Sequence, residues 1–224
     1  MPDEYPEYPK INALYMRGDR GKFLDDFART EFEYLRGLDW LWTEKVDGTN
    51  IRLGWEPGID TIEQAHALIF GRTDNAQIPP HLFNRLVEVY RSLPWADVFD
   101  DDVMSVTLYG EGYGARVNKG GGNYNPDGTD FVLFDVLVHS EGHGWWLTRE
   151  NVEDVADKLG IEAVPVVATC TIPKAELLVC ESGFESRWPG REHPEGLVGR
   201  PVVDLFGRDG VRLMAKIKRK DYLR

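Results

Sequence analysis

Four short segments of this 224-residue chain carry residue types and spacings suited to phosphoryl chemistry. In TEKVDGTN, Lys45 follows the strand-like run Leu41-Trp42-Thr43 and precedes a turn formed by Asp47 and Gly48. A lysine at the end of a strand projects from a rigid edge, where a nucleophile is held within about 0.5 Å of the position it needs. Its ammonium form has no lone pair to offer, so nearby cations or a metal must favour loss of the proton before attack. The same tetrapeptide, Lys45 to Gly48, is also compatible with a surface lysine beside a β-turn.

The second feature is a pair of separated carboxylates. Glu111 in LYGEGYG and Glu195 in HPEGLVGRP each stand beside glycine at the end of a strand-like run, where backbone without a side chain can approach a ligand closely. Two such carboxylates are hard oxygen donors able to hold Mg²⁺ against phosphate oxygens. Taken singly, each also reads as an edge residue that shapes a turn. In the third feature, MAKIKRKDY, Lys216 and Lys218 alternate with Ile217 and therefore share one strand face. Two positive charges on one face repel unless an anion neutralises them. A triphosphate would do so, and a solvated face is the plainer alternative.

The elements that must position these residues form a mixed pattern without repeats. GKFLDDFARTEFEYL (Gly21 to Leu35) has the apolar spacing of one or two short helices, whereas NIRLGWE (Asn50 to Glu56) alternates Ile51, Leu53 and Trp55 like a strand. A helix is predicted from Pro80 to Leu93, opened by Pro79 and Pro80, striped by Leu82, Leu86, Val89 and Leu93, and closed by Pro94. VMSVTLYG (Val103 to Gly110) and DFVLFDVLV (Asp130 to Val138) are β-rich. After them Thr148 caps a helix bearing Val152, Val155, Ala156 and Leu159, which Gly160 ends. GLVGRPVVDLF (Gly196 to Phe206) and VRLMAKIK (Val211 to Lys218) are further strands. The irregular spacing argues against repeated βαβ units and for an α+β class of antiparallel or mixed sheets with surface helices.

Composition sets the outer limits. With 42% hydrophobic residues, including seven Trp, nine Tyr and ten Phe, the chain can bury one substantial core or at most two small ones. Two cysteines, Cys170 and Cys180, without a His or Cys cluster encode neither a disulfide framework nor a zinc site. The acidic, Pro-rich start and the absence of a run of about eighteen apolar residues predict a cytoplasmic protein with no membrane contact. A formal charge of −12 argues against a nucleic-acid coat protein but not against an enzyme that holds one strand end. Locally, Arg212 to Arg224 carries six Lys or Arg against Asp221 alone. The Gly-rich stretch from Ala115 to Asp130 is the best candidate for a mobile element that closes over a substrate.

Taken together and in order, these segments resemble the covalent nucleotidyltransferase superfamily of ATP-dependent RNA and DNA ligases and mRNA-capping enzymes, most of all the small phage-type RNA ligases that seal nicks in duplex RNA. EKVDGTN is similar to the nucleophile motif, with Lys45 as the AMP-bearing lysine and Glu44 beside it among the nucleotide contacts. YGEGYG resembles the third motif, with Glu111. FVLFDV resembles the hydrophobic motif whose aromatic, here Phe134, stacks on adenine; Phe131 falls on the other face. PEGLVGR looks like the fourth motif, with Glu195, and MAKIK like the fifth, with Lys216 and Lys218. FGRTD resembles the segment in which such ligases place an arginine, here Arg72.

The resemblance implies a single nucleotidyltransferase domain over residues 1–224, an ATP-grasp-like ligase adenylation domain of antiparallel sheets around an ATP pocket. It implies ATP and Mg²⁺, with Mn²⁺ as a substitute, Glu111 and Glu195 serving the metal, and Lys216 and Lys218 acting with Lys45 in catalysis. AMP would pass from Lys45 to a 5′-phosphate, and a 3′-OH would displace it, with RNA the favoured strand. A minimal DNA ligase, a capping-type guanylyltransferase and a non-catalytic nucleotide or nucleic-acid-end-binding module are the alternatives. Because Lys218 stands six residues from the last residue, Arg224, no oligonucleotide-binding-fold domain is expected after it; a monomer is also expected. A partner protein would supply that function, in the cytoplasm of a bacterium or a phage-infected host.

Overall fold

The computed structural model describes residues 5–18, 23–59, 61–100, 102–181, 184–188 and 194–222. In chain order it begins with strands β1 (Asn12–Ala13), β2 (Tyr15–Arg17) and β3 (Phe23–Phe27) and helix α1 (Thr30–Leu35). Strands β4 (Trp40–Glu44) and β5 (Thr49–Trp55), helix α2 (Ile62–Ala67), strand β6 (Ile69–Phe70) and helices α3 (Pro80–Ser92) and α4 (Trp95–Val98) follow. The long strands β7 (Ser105–Gly114) and β8 (Thr129–Ser140) lead to β9 (His143–Trp146) and helix α5 (Arg149–Leu159). Strand β10 (Val166–Cys170), helix α6 (Ile172–Cys180) and strands β11 (Gly196–Pro201) and β12 (Ala215–Lys218) complete the order. The class is α+β, as expected. Among the described residues no helix is long and apolar enough to cross a membrane.

The chain divides into two compact units, one of Met1–Tyr8 with Asp47–Ala163 and the other of Pro9–Val46 with Val164–Arg224. The first is built on an antiparallel sheet in the order β6-β5-β7-β8-β9. Ile51, Leu53, Leu108, Leu133 and Val136 on one sheet face join Leu82 and Leu86 of α3 and Val152 and Leu159 of α5 in a single apolar cluster. Fully burying each such side chain contributes about 1.5–3 kcal/mol. Local signals set both long helices. Pro79 and Pro80 open α3, Thr148 accepts a hydrogen bond from the Asn151 N–H at the start of α5, and Gly160 ends it at φ 69°.

Two readings of this unit change. Glu111 does not end its strand, because β7 continues to Gly114. Its neighbouring glycines serve packing rather than ligand approach: a Cβ on Gly110 would lie 2.2 Å from the Phe131 ring, and one on Gly112 would lie 2.8 Å from Leu82.

The second unit holds a five-stranded sheet in the order β1-β12-β11-β4-β10, antiparallel except for the β1–β12 pair. Trp40 and Trp42 of β4, with ring centroids 5.8 Å apart, are fully buried with Phe32, Ile172, Leu197, Ala215 and Ile217. In Gly21 to Leu35 only Thr30–Leu35 is helical; Phe23–Phe27 is a strand paired with β2, and Gly21 and Lys22 lie outside the described residues. Phe23 and Phe27 are four residues apart, a spacing that shares a face in a helix and in a strand alike. Their contacts with Tyr15, at 5.9 and 4.9 Å between centroids, select the strand.

Candidate active site

The nucleophile candidate is placed by strand register. In β11, Leu197 pairs with Glu44 of β4 while Gly196 pairs with Lys218 of β12. One residue beyond β4, the Lys45 N–H donates to the Gly196 carbonyl at 2.9 Å. Lys45, Glu195 and Lys218 therefore stand on adjacent rungs. Lys45 Nζ donates to Glu195 Oε2 at 2.8 Å and Lys218 Nζ donates to Oε1 at 2.7 Å, so one carboxylate bridges both ammonium groups. These side chains are 20%, 12% and 23% exposed for Lys45, Glu195 and Lys218. Gly196 makes the approach possible, because a Cβ there would lie 1.9 Å from the Ile217 carbonyl oxygen.

The electrostatics follow from this geometry. Burial by itself raises the pKa of Glu195, but the charge on Lys45 and the hydrogen bonds from Lys218 and Lys45 outweigh it and hold the carboxyl below its ordinary 4.5. Along β12, Ala215 and Ile217 are buried while Lys216 and Lys218 are half-buried on the opposite face, as the alternation predicts. Glu44 is turned elsewhere. It is 2% exposed, and its carboxylate accepts from Ser186 Oγ at 2.6 Å and from the Arg187 N–H at 3.2 Å.

Other candidate residues lie in the unit that contains Asp47–Ala163. Glu111 of β7 pairs between Asn50 of β5 and Val132 of β8, and its Oε1 accepts the Gly48 N–H at 3.1 Å. Opposite Glu111, the Asn50 Oδ1 is buried with no hydrogen-bond partner among the described residues. Farther along β8, Gly110 pairs with Leu133 and Tyr109 with Asp135, which leaves Phe134 as the extra residue of a β-bulge. Phe131, Leu133 and Val136 all belong to the core, so Phe134 points to the opposite sheet face, where Tyr8 meets it edge-on at 5.0 Å. Arg72 is exposed on the segment after β6. That segment is held by the buried Arg52, which donates to the Gly71 carbonyl at 3.0 Å and to Asp74 at 2.7 Å.

The structure thus joins Lys45, Glu195 and Lys218 in direct contact within one unit. There Glu44 is hydrogen-bonded by Ser186 and the Arg187 N–H, and in the other unit Glu111 and Phe134 lie on one sheet face. Sequence reasoning did not single out Asn50, Arg52 or Asn118. For Asn118 the available signal was an asparagine two residues before Gly120-Gly121-Gly122.

Among the described residues no group of three or more His, Cys, Asp or Glu forms a metal cage. Glu195 in one unit, and Glu111 beside the orphaned Asn50 oxygen in the other, are isolated hard-oxygen positions. Such donors fit Mg²⁺ that arrives with phosphate oxygens and water as its remaining ligands.

The sequence profile of the RNA ligase family matches residues 38–218. A search of curated proteins returned no match. Among solved structures, the chain is similar to the Naegleria gruberi RNA ligase with pyrophosphate, with a TM-score of 0.59 and 18% identity over 96% of this chain and 62% of that one. It is similar to a variant of that ligase with ATP and Mn, with a TM-score of 0.57 and 16% identity over 96% and 62%. For a variant with AMP and Mn the TM-score is 0.59, with 16% identity over 96% and 62%. The chain spans about 62% of the length of these ligases, and the likeness establishes the fold.

Proposed function

Because the chain belongs to the RNA ligase family, whose profile spans residues 38–218, we propose that it is an ATP-dependent RNA ligase that stores AMP on Lys45. The observation that carries this reading is the Lys45–Glu195–Lys218 bridge. In the proposed first step Lys45 Nζ, after losing its proton to solvent, attacks the α-phosphorus of ATP; an N–P bond forms and the bond to pyrophosphate breaks. Lys218 and Lys216 offset the charge on the phosphate oxygens. Glu195 stays ionised, because its pKa is depressed, and orients the amine rather than serving as a strong base. Mg²⁺, or Mn²⁺ in its place, would supply charge that favours the neutral amine and reduces repulsion between phosphate and nucleophile.

In the same reading Glu111 serves ribose or metal, Phe134 packs on adenine, and Arg72 contacts a phosphate. AMP then passes to a 5′-phosphate and leaves when a 3′-OH attacks the adenylated end. Both units would act as one nucleotidyltransferase domain, since the motif from Lys45 to Gly48 crosses from one to the other. We take the substrate to be a nick in duplex RNA, as for phage-type ligases, and the enzyme to be a cytoplasmic monomer. A further domain or partner protein would supply part of the duplex contact. Resembling ligases carry ATP, AMP, Mn and pyrophosphate, which favours ATP over GTP and turnover over mere binding.

The test is self-labelling with ATP or GTP carrying a radioactive α-phosphate, followed by joining assays on matched RNA, DNA and mixed nicks. An acid-labile AMP adduct in the wild type and none in Lys45→Ala is expected. Exclusive GMP transfer would overturn the ligase reading, and an adduct that persists in Lys45→Ala would remove the lysine assignment.

A further inference from the structure

Asn118 lies in the glycine-rich stretch two residues before Gly120, and its side chain uses every hydrogen-bonding position it has. Nδ2 donates to Asp47 Oδ1 and to the Gly48 carbonyl, each at 3.0 Å. Oδ1 accepts the Gly120 N–H at 3.0 Å and the Gly121 N–H at 2.5 Å. A carboxamide offers two donors and two acceptor lone pairs, so this set is complete. The reversed amide would aim its NH₂ at two N–H donors, which dictates the orientation.

The Gly48 backbone is consequently held on both sides, its carbonyl by Asn118 and its N–H by Glu111 Oε1 at 3.1 Å. Packing leaves no slack. A Cβ on Gly120 would lie 1.9 Å from Asp47 Oδ2, and one on Gly48 would lie 2.3 Å from the Gly112 carbonyl oxygen and 2.8 Å from Glu111 Cγ. The loop that follows is not an independent flap at this end: its 3₁₀ turn, Gly121–Asn123, starts from the residues that Asn118 clamps.

We propose that Asn118 is a positioning residue for nucleotidyl transfer: it fixes the Asp47–Gly48 turn, and through the Gly48 N–H it orients the Glu111 carboxylate. This rests on the reading of the chain as a lysine-adenylating enzyme. The amide is specific to the task. Its two donors serve a carboxylate and a carbonyl, and its acceptor serves two loop N–H groups. No single hydroxyl or carboxylate offers both donors and acceptors in that arrangement.

The test compares Asn118→Ala and Asn118→Asp with the wild-type chain for the rate of lysyl-AMP formation against ATP concentration and pH, with thermal melting as a check on folding. Asn118→Asp keeps the acceptor for Gly120 and Gly121 but sets a second carboxylate against Asp47, so the new carboxyl titrates above its ordinary value. Asn118→Ala is expected to slow adenylation by about ten-fold or more. Asn118→Asp is expected to be slower still at neutral pH. Relative to wild type at the same pH, it should recover as the pH falls towards about 5, because the protonated acid again donates to Asp47.

A merely structural role would lower melting temperature without that relative recovery. If Asn118→Ala does not fold, the pH series of Asn118→Asp decides alone. Wild-type rates in Asn118→Ala, or a pH-independent ratio of Asn118→Asp to wild type, overturn the inference while leaving the ligase reading intact. A wild-type chain that forms no lysyl-AMP overturns both.

Discussion

Lys45 and Glu195, 150 residues apart in the chain, are joined by a 2.8 Å ion pair, and the second oxygen of the same carboxylate is taken by Lys218 at 2.7 Å. The contact holds the Lys45 side chain in place against Glu195. Replacing Glu195 by Gln leaves one acceptor and turns an amide N–H toward a lysine. Removing one partner of a fully buried pair costs about 3–5 kcal/mol. With these side chains 12–23% exposed, a loss of about 1–3 kcal/mol is expected. Urea unfolding measures that loss, and self-labelling is expected to fall at least about 100-fold if the carboxylate orients the nucleophile. Near-wild-type labelling by Glu195→Gln would remove Glu195 from the mechanism.

The same bridge sets an acid limit. Burial opposes ionisation of Glu195, yet Lys45 and Lys218 bring its carboxyl below the ordinary 4.5. A group whose folded pKa is depressed stabilises the fold at every pH above its unfolded value, and that contribution disappears as the pH falls through the lower folded value. The unfolding free energy of the wild type should therefore exceed that of Glu195→Gln at neutral pH, with the gap closing only below the ordinary carboxylate range. A gap that stays constant into strong acid would show that the charge on Glu195 is not what stabilises the site.

Gly196 offers a test of the scaffold separate from the charges. A methyl group at this position meets the Ile217 carbonyl oxygen at 1.9 Å, and backbone cannot yield as a side-chain tip can. Gly196→Ala should destabilise the chain by about 2 kcal/mol or more. By forcing β11 from β12 it should also separate Lys218 from Glu195. Melting and adenylation measured together check this, since unchanged values for both would mean that the strands accommodate the methyl without moving.

Much of the fold was legible because its signals are local. Pro79 and Pro80 start α3 through their fixed φ, and Thr148 and Gly160 bracket α5 through hydrogen bonds within a few residues of chain. Phe23–Phe27 was misread as helix because two phenylalanines four residues apart satisfy both periods, and only Tyr15 on the neighbouring strand selects between them. The glycines flanking Glu111 were misjudged for a related reason. Their missing side chains make room for Phe131, Leu82 and Ile51, which come from other elements.

At the site, the sequence by itself determined which groups with usable chemistry exist and on which strand faces some of them lie. Lys216 and Lys218 share a face because strand side chains alternate, and Phe131 and Phe134, an odd number of residues apart on one strand, oppose each other for the same reason. Which charge meets which was decided by tertiary structure. Glu195 reaches Lys45 and Lys218 only because β4 and β12 flank β11 in one register. Glu44, adjacent to Lys45, is hydrogen-bonded by Ser186 and the Arg187 N–H. Asn118 matters because a loop brings it back to Asp47 and Gly48, 71 and 70 residues earlier. Alternation needs only neighbouring residues, whereas register and loop closure depend on how distant segments pack, and no local pattern carries that information.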